Sequence, residues 1–144
     1  TAAARVIRDA LPRHHDLVWQ HKSEFDFVSE VDLAAEHAAM ERFRRELPEA
    51  RFLAEETAAT LPPAERDRGV TVVLDPLDGT TNFLHGVPEY AVSIAVLVDG
   101  VLTSGVVLNV PRDACYTATV GGGAWLGGQR LQVSAVTDPG RALI

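Results

Sequence analysis

Residues Val72–Phe83 read VVLDPLDGTTNF, and they set two aspartates three apart at the end of an apolar run. The five residues VTVVL at 70–74 have the β-branched, apolar character of a buried strand. That strand would deliver Asp75 at its end with Asp78 close behind, and like charges so placed repel. One reading is a turn, since Asp-Pro and Asp-Gly both favour turns, with Thr80, Thr81 or Asn82 capping a short helix. The other is a hard-metal site. Two carboxylates and the Leu77 carbonyl supply oxygen donors of the kind Mg²⁺ takes, leaving positions for water and phosphate. Pro76 would stiffen the bend, and Gly79 would clear side-chain bulk where a phosphate oxygen approaches the backbone. A helix beginning near Gly79 would turn free N–H groups toward that anion, with the Thr80 hydroxyl placed to orient an attacking water. The spacing is compatible with both readings.

Downstream the pattern is β throughout. Residues 90–98 read as a strand, Asp99-Gly100 as a two-residue hairpin turn, and 101–109 as the returning strand. A turn at VPRD leads to a strand over 114–120, and GGGAWLGGQRLQVS adds two short strands about a Gly-Gly turn. Val96, Val98, Val106 and Leu108 lie in near-continuous apolar runs, which predicts a sheet covered on both faces. Upstream, Val6, Ile7, Ala10, Leu11, His14, Leu17 and Val18 fall near one helical face, with Pro12 expected to kink or restart the helix. HKSEFDFVSEVD (21–32) reads as a loop or short hairpin. Ser29 followed by Asp32 predicts a capping box opening a second helix, along which Leu33, Met40, Phe43 and Leu47 recur until Pro48. RFLAEET reads as a short strand running into acids, and AATLPPAERDRG (58–69) as a surface loop. Helices followed by an antiparallel meander make an α+β arrangement.

The 144 residues are the length of one domain. A formal charge of -7, from 20 acids against 13 bases, argues against non-specific binding to nucleic acid or an anionic membrane. No stretch approaches the ~18 apolar residues of a membrane span. Cys115 stands alone, so no intramolecular disulfide forms within these residues, and a reducing cytoplasm is the expected location. Taken singly, Glu55-Glu56 reads as solvated surface, Asp32 as a capping carboxylate and Lys22 as an exposed lysine.

Together these segments form a recognisable series. DFVSEVD, FLAEET, VLDPLDGTTNFLHGVP, AVSIAVLVDGV, GVVLN and GGGAWLGGQRLQVS follow the order and approximate spacing of the inositol monophosphatase family. From about Lys22 to Ser134 the chain resembles these Mg²⁺-dependent, lithium-sensitive phosphomonoesterases. The resemblance implies the N-terminal part of a layered αβαβα fold, with two helices packed on a largely antiparallel sheet. It also implies two or three Mg²⁺ ions. Glu55, Asp75 and the Leu77 carbonyl would hold the first, and Asp75 and Asp78 would share the second. Glu55 and Thr80 would activate the attacking water, while Asp78, Gly79 and Thr80 would meet the substrate, the last two through backbone N–H groups on phosphate. Asp32 would support catalysis from behind the ligands, and Glu56 and Lys22 would supply further charge.

The chain departs from the family pattern in two places. Ala54 stands where glycine is usual before the two acids, which reshapes that loop without removing a ligand. The family's W-D-x-A-A-G motif is absent, since Trp19 and Trp125 are followed by glutamine and leucine. Residues 1–144 are therefore expected to be the N-terminal portion of a longer domain, homodimeric when whole. The substrate expected is an inositol monophosphate or a related sugar or polyol phosphate, toward which NFLHGVP leans. Relatives on this scaffold that act on fructose 1,6-bisphosphate, histidinol phosphate or adenosine bisphosphate remain alternatives, as does a non-catalytic binding module.

Overall fold

In the computed structural model the described residues are 1–17, 19–23, 26–57 and 68–141, excluding the side chains at 21–23, 26–27 and 139. Val18, the Lys22 side chain and positions 58–67 of the expected surface loop lie outside them. The first helix, α1 (Ala2–Ala10), is capped by Thr1, whose hydroxyl accepts from the Ala4 N–H at 3.1 Å. It breaks at Pro12, as expected, and does not run unbroken through Leu17. Pro12 has no N–H to continue the ladder, and a 3₁₀ segment (Leu11–Asp16) follows. The chain then extends into β1 (Trp19–Ser23), paired antiparallel with β2 (Asp26–Ser29). The short hairpin read within 21–32 is thus present, but it begins earlier, at Trp19, and its end already opens the next helix.

Ser29 opens α2 (Glu30–Glu46) with the predicted capping box. Its hydroxyl accepts from Val31 N at 3.2 Å, and its own N–H donates to Asp32 Oδ2 at 2.9 Å. The buried stripe of α2 is Val31, Asp32, Ala35, Glu36, Ala39 and Met40. Leu33, expected on that stripe, is 43% exposed. The helix is rotated so that two acids, rather than Leu33, face inward, and the reason lies in the site described below.

Seven strands form the main sheet in chain order: β3 (Arg51–Ala54), β4 (Val70–Asp78), β5 (Ala91–Val98), β6 (Val101–Asn109), β7 (Ala114–Thr119), β8 (Gly123–Leu126) and β9 (Gln129–Arg130). Between β4 and β5 lies α3 (Thr80–Leu84). Only β3 and β4 are parallel; every other pair is antiparallel. The β5–β6 turn has both central residues at positive φ, 50° at Asp99 and 77° at Gly100, the geometry that matches strand twist.

Strand register sorts the apolar residues between the two faces. Leu74 opposes Ile94, which opposes Val106, and Val92 opposes Leu108, which opposes Cys115. Leu74, Val92, Leu108, Ile94 and Cys115 pack with Ile7, Ala35, Ala39 and Met40 in the core beneath the helices. On the other face Val107 opposes Tyr116, and these remain 41% and 42% exposed. Val98 is also exposed, but Leu108 is buried and Val96 and Val106 are half-buried. Side chains alternate between faces, so the helices cover one face only, and the sheet expected to be covered on both leaves Val107 and Tyr116 exposed on the other among the described residues. No helix among the described residues is long and apolar enough to cross a membrane.

Candidate active site

The parallel β3–β4 pair brings together acids that are 20 residues apart in sequence. Ala54 is in register with Leu74, and the chain continues the ladder one step, Glu55 N donating to Leu74 O at 3.1 Å. Glu55 therefore leaves β3 beside the point where Asp75 leaves Leu74. In the β4–β5 pairing Asp75 faces Ser93 while Asp78 faces Ala91, so three steps on β4 match two on β5. This bulge accommodates Pro76, which has no N–H to give to a ladder. It also brings Asp78 close enough to act on Asp75.

Burial is the first cause that lifts the Asp75 carboxyl, from the ordinary 3.8 to about 7. The Glu55 charge and a side-chain hydrogen bond with Glu55 add to it, then the Asp78 charge. The Leu77 N–H, which donates to Asp75 Oδ1 at 3.1 Å, works weakly the other way. Among the described residues, no three acidic, histidine or cysteine side chains are gathered closely enough to hold an ion between them. The donor set nonetheless suits a hard divalent cation. Glu55 and Asp78 both act on Asp75 at one strand end, and a cation there would offset the burial and repulsion that raise its pKa. The Leu77 carbonyl lies 3.0 Å from Thr80 Oγ1, a second possible acceptor for that hydroxyl, and is a further oxygen donor for an ion.

Gly79 turns the chain from β4 into α3. Its φ of 92° is left-handed, and an added Cβ would lie 3.1 Å from Glu89 O and 3.3 Å from Tyr90 Cβ. Both facts require glycine. Phe83, 1% exposed, anchors the short helix by packing edge-on against Tyr90 at 5.3 Å, and burial of such a ring stabilises by about 1.5–3 kcal/mol. Thr80 is thereby held over Asp32, to which its hydroxyl lies at 2.8 Å. The hydroxyl has one proton for two acceptors, and the carboxylate is the stronger of them. A hydroxyl that donates to Asp32 turns its lone pairs outward, ready to accept from a water.

The structure thus places Asp32, Glu55, Asp75, Leu77, Asp78, Gly79 and Thr80 at one end of the sheet, where β3, β4, α2 and α3 meet. Two features there escape a reading of the motifs. Glu36, fully buried, accepts from Glu56 N at 2.7 Å, from Thr57 N at 2.9 Å and from the Thr57 hydroxyl. Its signal in the sequence is an acid at the i+4 position from Asp32 inside the apolar stripe of α2. Glu89 accepts from Asn109 Nδ2 at 2.9 Å and from Arg112 at 2.7 Å, on the rim of a cleft of about 240 Å³ that reaches Asp78 and Gly79. No motif marks that network.

Comparison with known proteins agrees with this geometry. Residues 1–144 match the inositol monophosphatase family over their whole length. The chain is 38% identical over 136 residues to Nus factor SuhB of Pasteurella multocida, covering 94% of this chain and 50% of that protein. It is 38% identical over 142 residues to human inositol monophosphatase 2, covering 99% of this chain and 49% of that protein. Among solved structures, the extragenic suppressor protein suhB of Bartonella henselae superimposes with a TM-score of 0.85 at 36% identity, covering 93% of this chain and 51% of that one. The chain spans about half the length of the curated relatives it matches.

Proposed function

The chain belongs to the inositol monophosphatase family, and from that premise we propose that the whole protein hydrolyses a small phosphate monoester, an inositol monophosphate or related polyol phosphate, with Mg²⁺ and water. The observation that carries the proposal is the convergence of Glu55 on Asp75 and Asp78, beside a threonine hydroxyl held by a buried carboxylate. Glu55, Asp75, Asp78 and the Leu77 carbonyl would hold two or three ions. When bound, Mg²⁺ neutralises phosphate charge and lowers the pKa of a coordinated water.

The chain's own groups do the positioning. Asp32 accepts the Thr80 hydroxyl hydrogen bond, so Thr80 Oγ1 accepts from the attacking water, and Glu55 is the base on its other side. The Gly79 and Thr80 N–H groups, at the first turn of α3, receive phosphate oxygens where the missing Cβ leaves room. Asp78, exposed at the cleft, faces the substrate alcohol. The protein is proposed to work in the cytoplasm as a homodimer.

The test is release of inorganic phosphate from an inositol monophosphate by the full-length protein with and without Mg²⁺. Mg²⁺-dependent turnover is expected, and its absence from a panel of polyol and sugar phosphates would overturn the proposal. A second reading, a binding role on the same fold, is favoured by the Pasteurella multocida relative, which is named a Nus factor. Such a role would survive Thr80→Ala, whereas hydrolysis would not.

A further inference from the structure

Asp32 and Glu36 stand one turn apart on α2, 1% and 0% exposed, and each holds a different part of the site. Asp32 reaches forward to the Thr80 hydroxyl on α3, at 2.8 Å. Glu36 reaches across to the segment after β3, taking the Glu56 and Thr57 N–H groups and the Thr57 hydroxyl on its two oxygens. A buried carboxylate costs several kcal/mol in desolvation unless hydrogen bonds repay it, and an alanine here would cover the apolar stripe at no such cost. The three donors explain how Glu36 is tolerated. They also fix the backbone immediately after Glu55, so Glu55 is clamped from both sides: its own N–H by Leu74 O, its neighbours by Glu36.

We propose that Glu36 is a positioning residue for metal binding. It sets where Glu55 sits relative to Asp75, and α2 acts as a rigid spacer of about 6 Å between its grips on the Glu55 turn and on Thr80. The inference rests on the metal-site reading above. It goes beyond that reading by assigning a function to a residue that meets no substrate, ion or water. Glu36 holds main-chain donors, so an amide in its place is a poor substitute. Glutamine keeps one acceptor oxygen for Thr57 but presents an NH₂ group to the Glu56 N–H, donor against donor.

The experiment measures Mn²⁺ binding to the full-length protein by the loss of free-ion electron paramagnetic resonance signal, alongside the Mg²⁺ dependence of phosphate release. Mn²⁺ takes the same oxygen donors as Mg²⁺. Glu36→Gln should weaken Mn²⁺ binding about 10–100-fold, the usual effect of losing a group that orients a metal ligand. It should move half-saturation by Mg²⁺ in parallel, with kcat at saturating Mg²⁺ returning toward wild type. Thr57→Val, an exposed position where only the hydroxyl donor is lost, should shift binding the same way by less, and it reports even if Glu36→Gln fails to fold. Met40→Ala, in the core on the same helix, should lower the melting temperature without moving the Mn²⁺ midpoint. Wild-type Mn²⁺ binding with unshifted Glu36→Gln and Thr57→Val would overturn the inference alone. A Met40→Ala shift as large as that of Glu36→Gln would reduce Glu36 to a general stability role. No Mn²⁺ binding by the wild type would overturn the metal reading and this inference with it.

Discussion

Thr80 holds one proton between a buried carboxylate and a backbone carbonyl, and its proposed task is to aim a water rather than to hold a cation. Thr80→Ala should therefore leave Mn²⁺ binding nearly unchanged while lowering kcat by a factor of ~10² to 10³, the usual cost of one positioned catalytic hydrogen bond. Thr80→Ser, which keeps the hydroxyl, should recover most of that loss; equal kcat in wild type and Thr80→Ala would end the water-orienting role. Asp75 is the opposite case, a group whose charge is the point. Its carboxyl is raised from 3.8 to about 7, so the folded chain holds that proton more tightly than the unfolded one. Without Mg²⁺, the stability this supplies is complete below 3.8 and is lost as pH rises through about 7. With Mg²⁺ the loss at higher pH should be offset, because the cation takes the place of the proton, adding about 2.7 kcal/mol at a hundredfold excess over its dissociation constant. Melting curves at about pH 5 and about pH 8, with and without Mg²⁺, check this, and Asp75→Asn should flatten both dependences. If Mg²⁺ does not shift the wild-type melt at the higher pH, the acids do not form a cation site. Asp75 and Asp78 are legible in sequence because proline, glycine and threonine crowd round them, whereas Glu36 is hidden in an otherwise ordinary helix. Only packing shows that it faces the Glu55 turn rather than water.

At the scale of elements, short-range chemistry was legible and long-range pairing was not. The Ser29 capping box and the Asp99-Gly100 turn are decided by neighbours within three residues, and both stand as the sequence predicts. The parallel partnership of β3 with β4 depends on a crossover connection, so nothing local to RFLA or VTVVL announces it. Yet that partnership is what carries Glu55 to Asp75. The helices have local causes too, one foreseen at Pro12 and one not. Pro12 stops α1 outright, and the phase of α2 follows Asp32 and Glu36 because their hydrogen-bond partners lie on the inner side, which no count of apolar residues can reveal. The joint between β4 and α3 is the element-level feature most exposed to mutation. Gly79→Ala would put a side chain at φ 92° and a methyl 3.1 Å from Glu89 O. Strain of that kind costs about 1–3 kcal/mol, visible as a lower midpoint in urea unfolding. Because Gly79 also precedes Thr80, turnover should fall further than stability does. A variant with wild-type stability and turnover would show that the joint has more freedom than its geometry allows.

Across the whole molecule, the two faces of the sheet are treated differently. The inner face is closed by α1 and α2, while the outer face carries Val107 and Tyr116, 41% and 42% exposed and directly opposed across β6 and β7. Single exposed apolar residues are commonplace, but an exposed apolar pair across neighbouring strands adds to apolar surface of the kind that drives association. Residues 1–144 expressed alone should therefore self-associate and bind a hydrophobic dye, more so at high salt, where a net charge of -7 protects less. Replacing Val107 and Tyr116 with lysine should suppress both effects without unfolding the sheet, since neither side chain belongs to the helix-covered core. Light scattering and dye fluorescence on the two proteins decide the matter. A wild-type 1–144 chain that stays monomeric and leaves the dye dark would mean that the outer face is satisfied by water. In that case the apolar residues along β6 and β7 would serve only strand pairing, where branched and aromatic neighbours stabilise one another across the ladder.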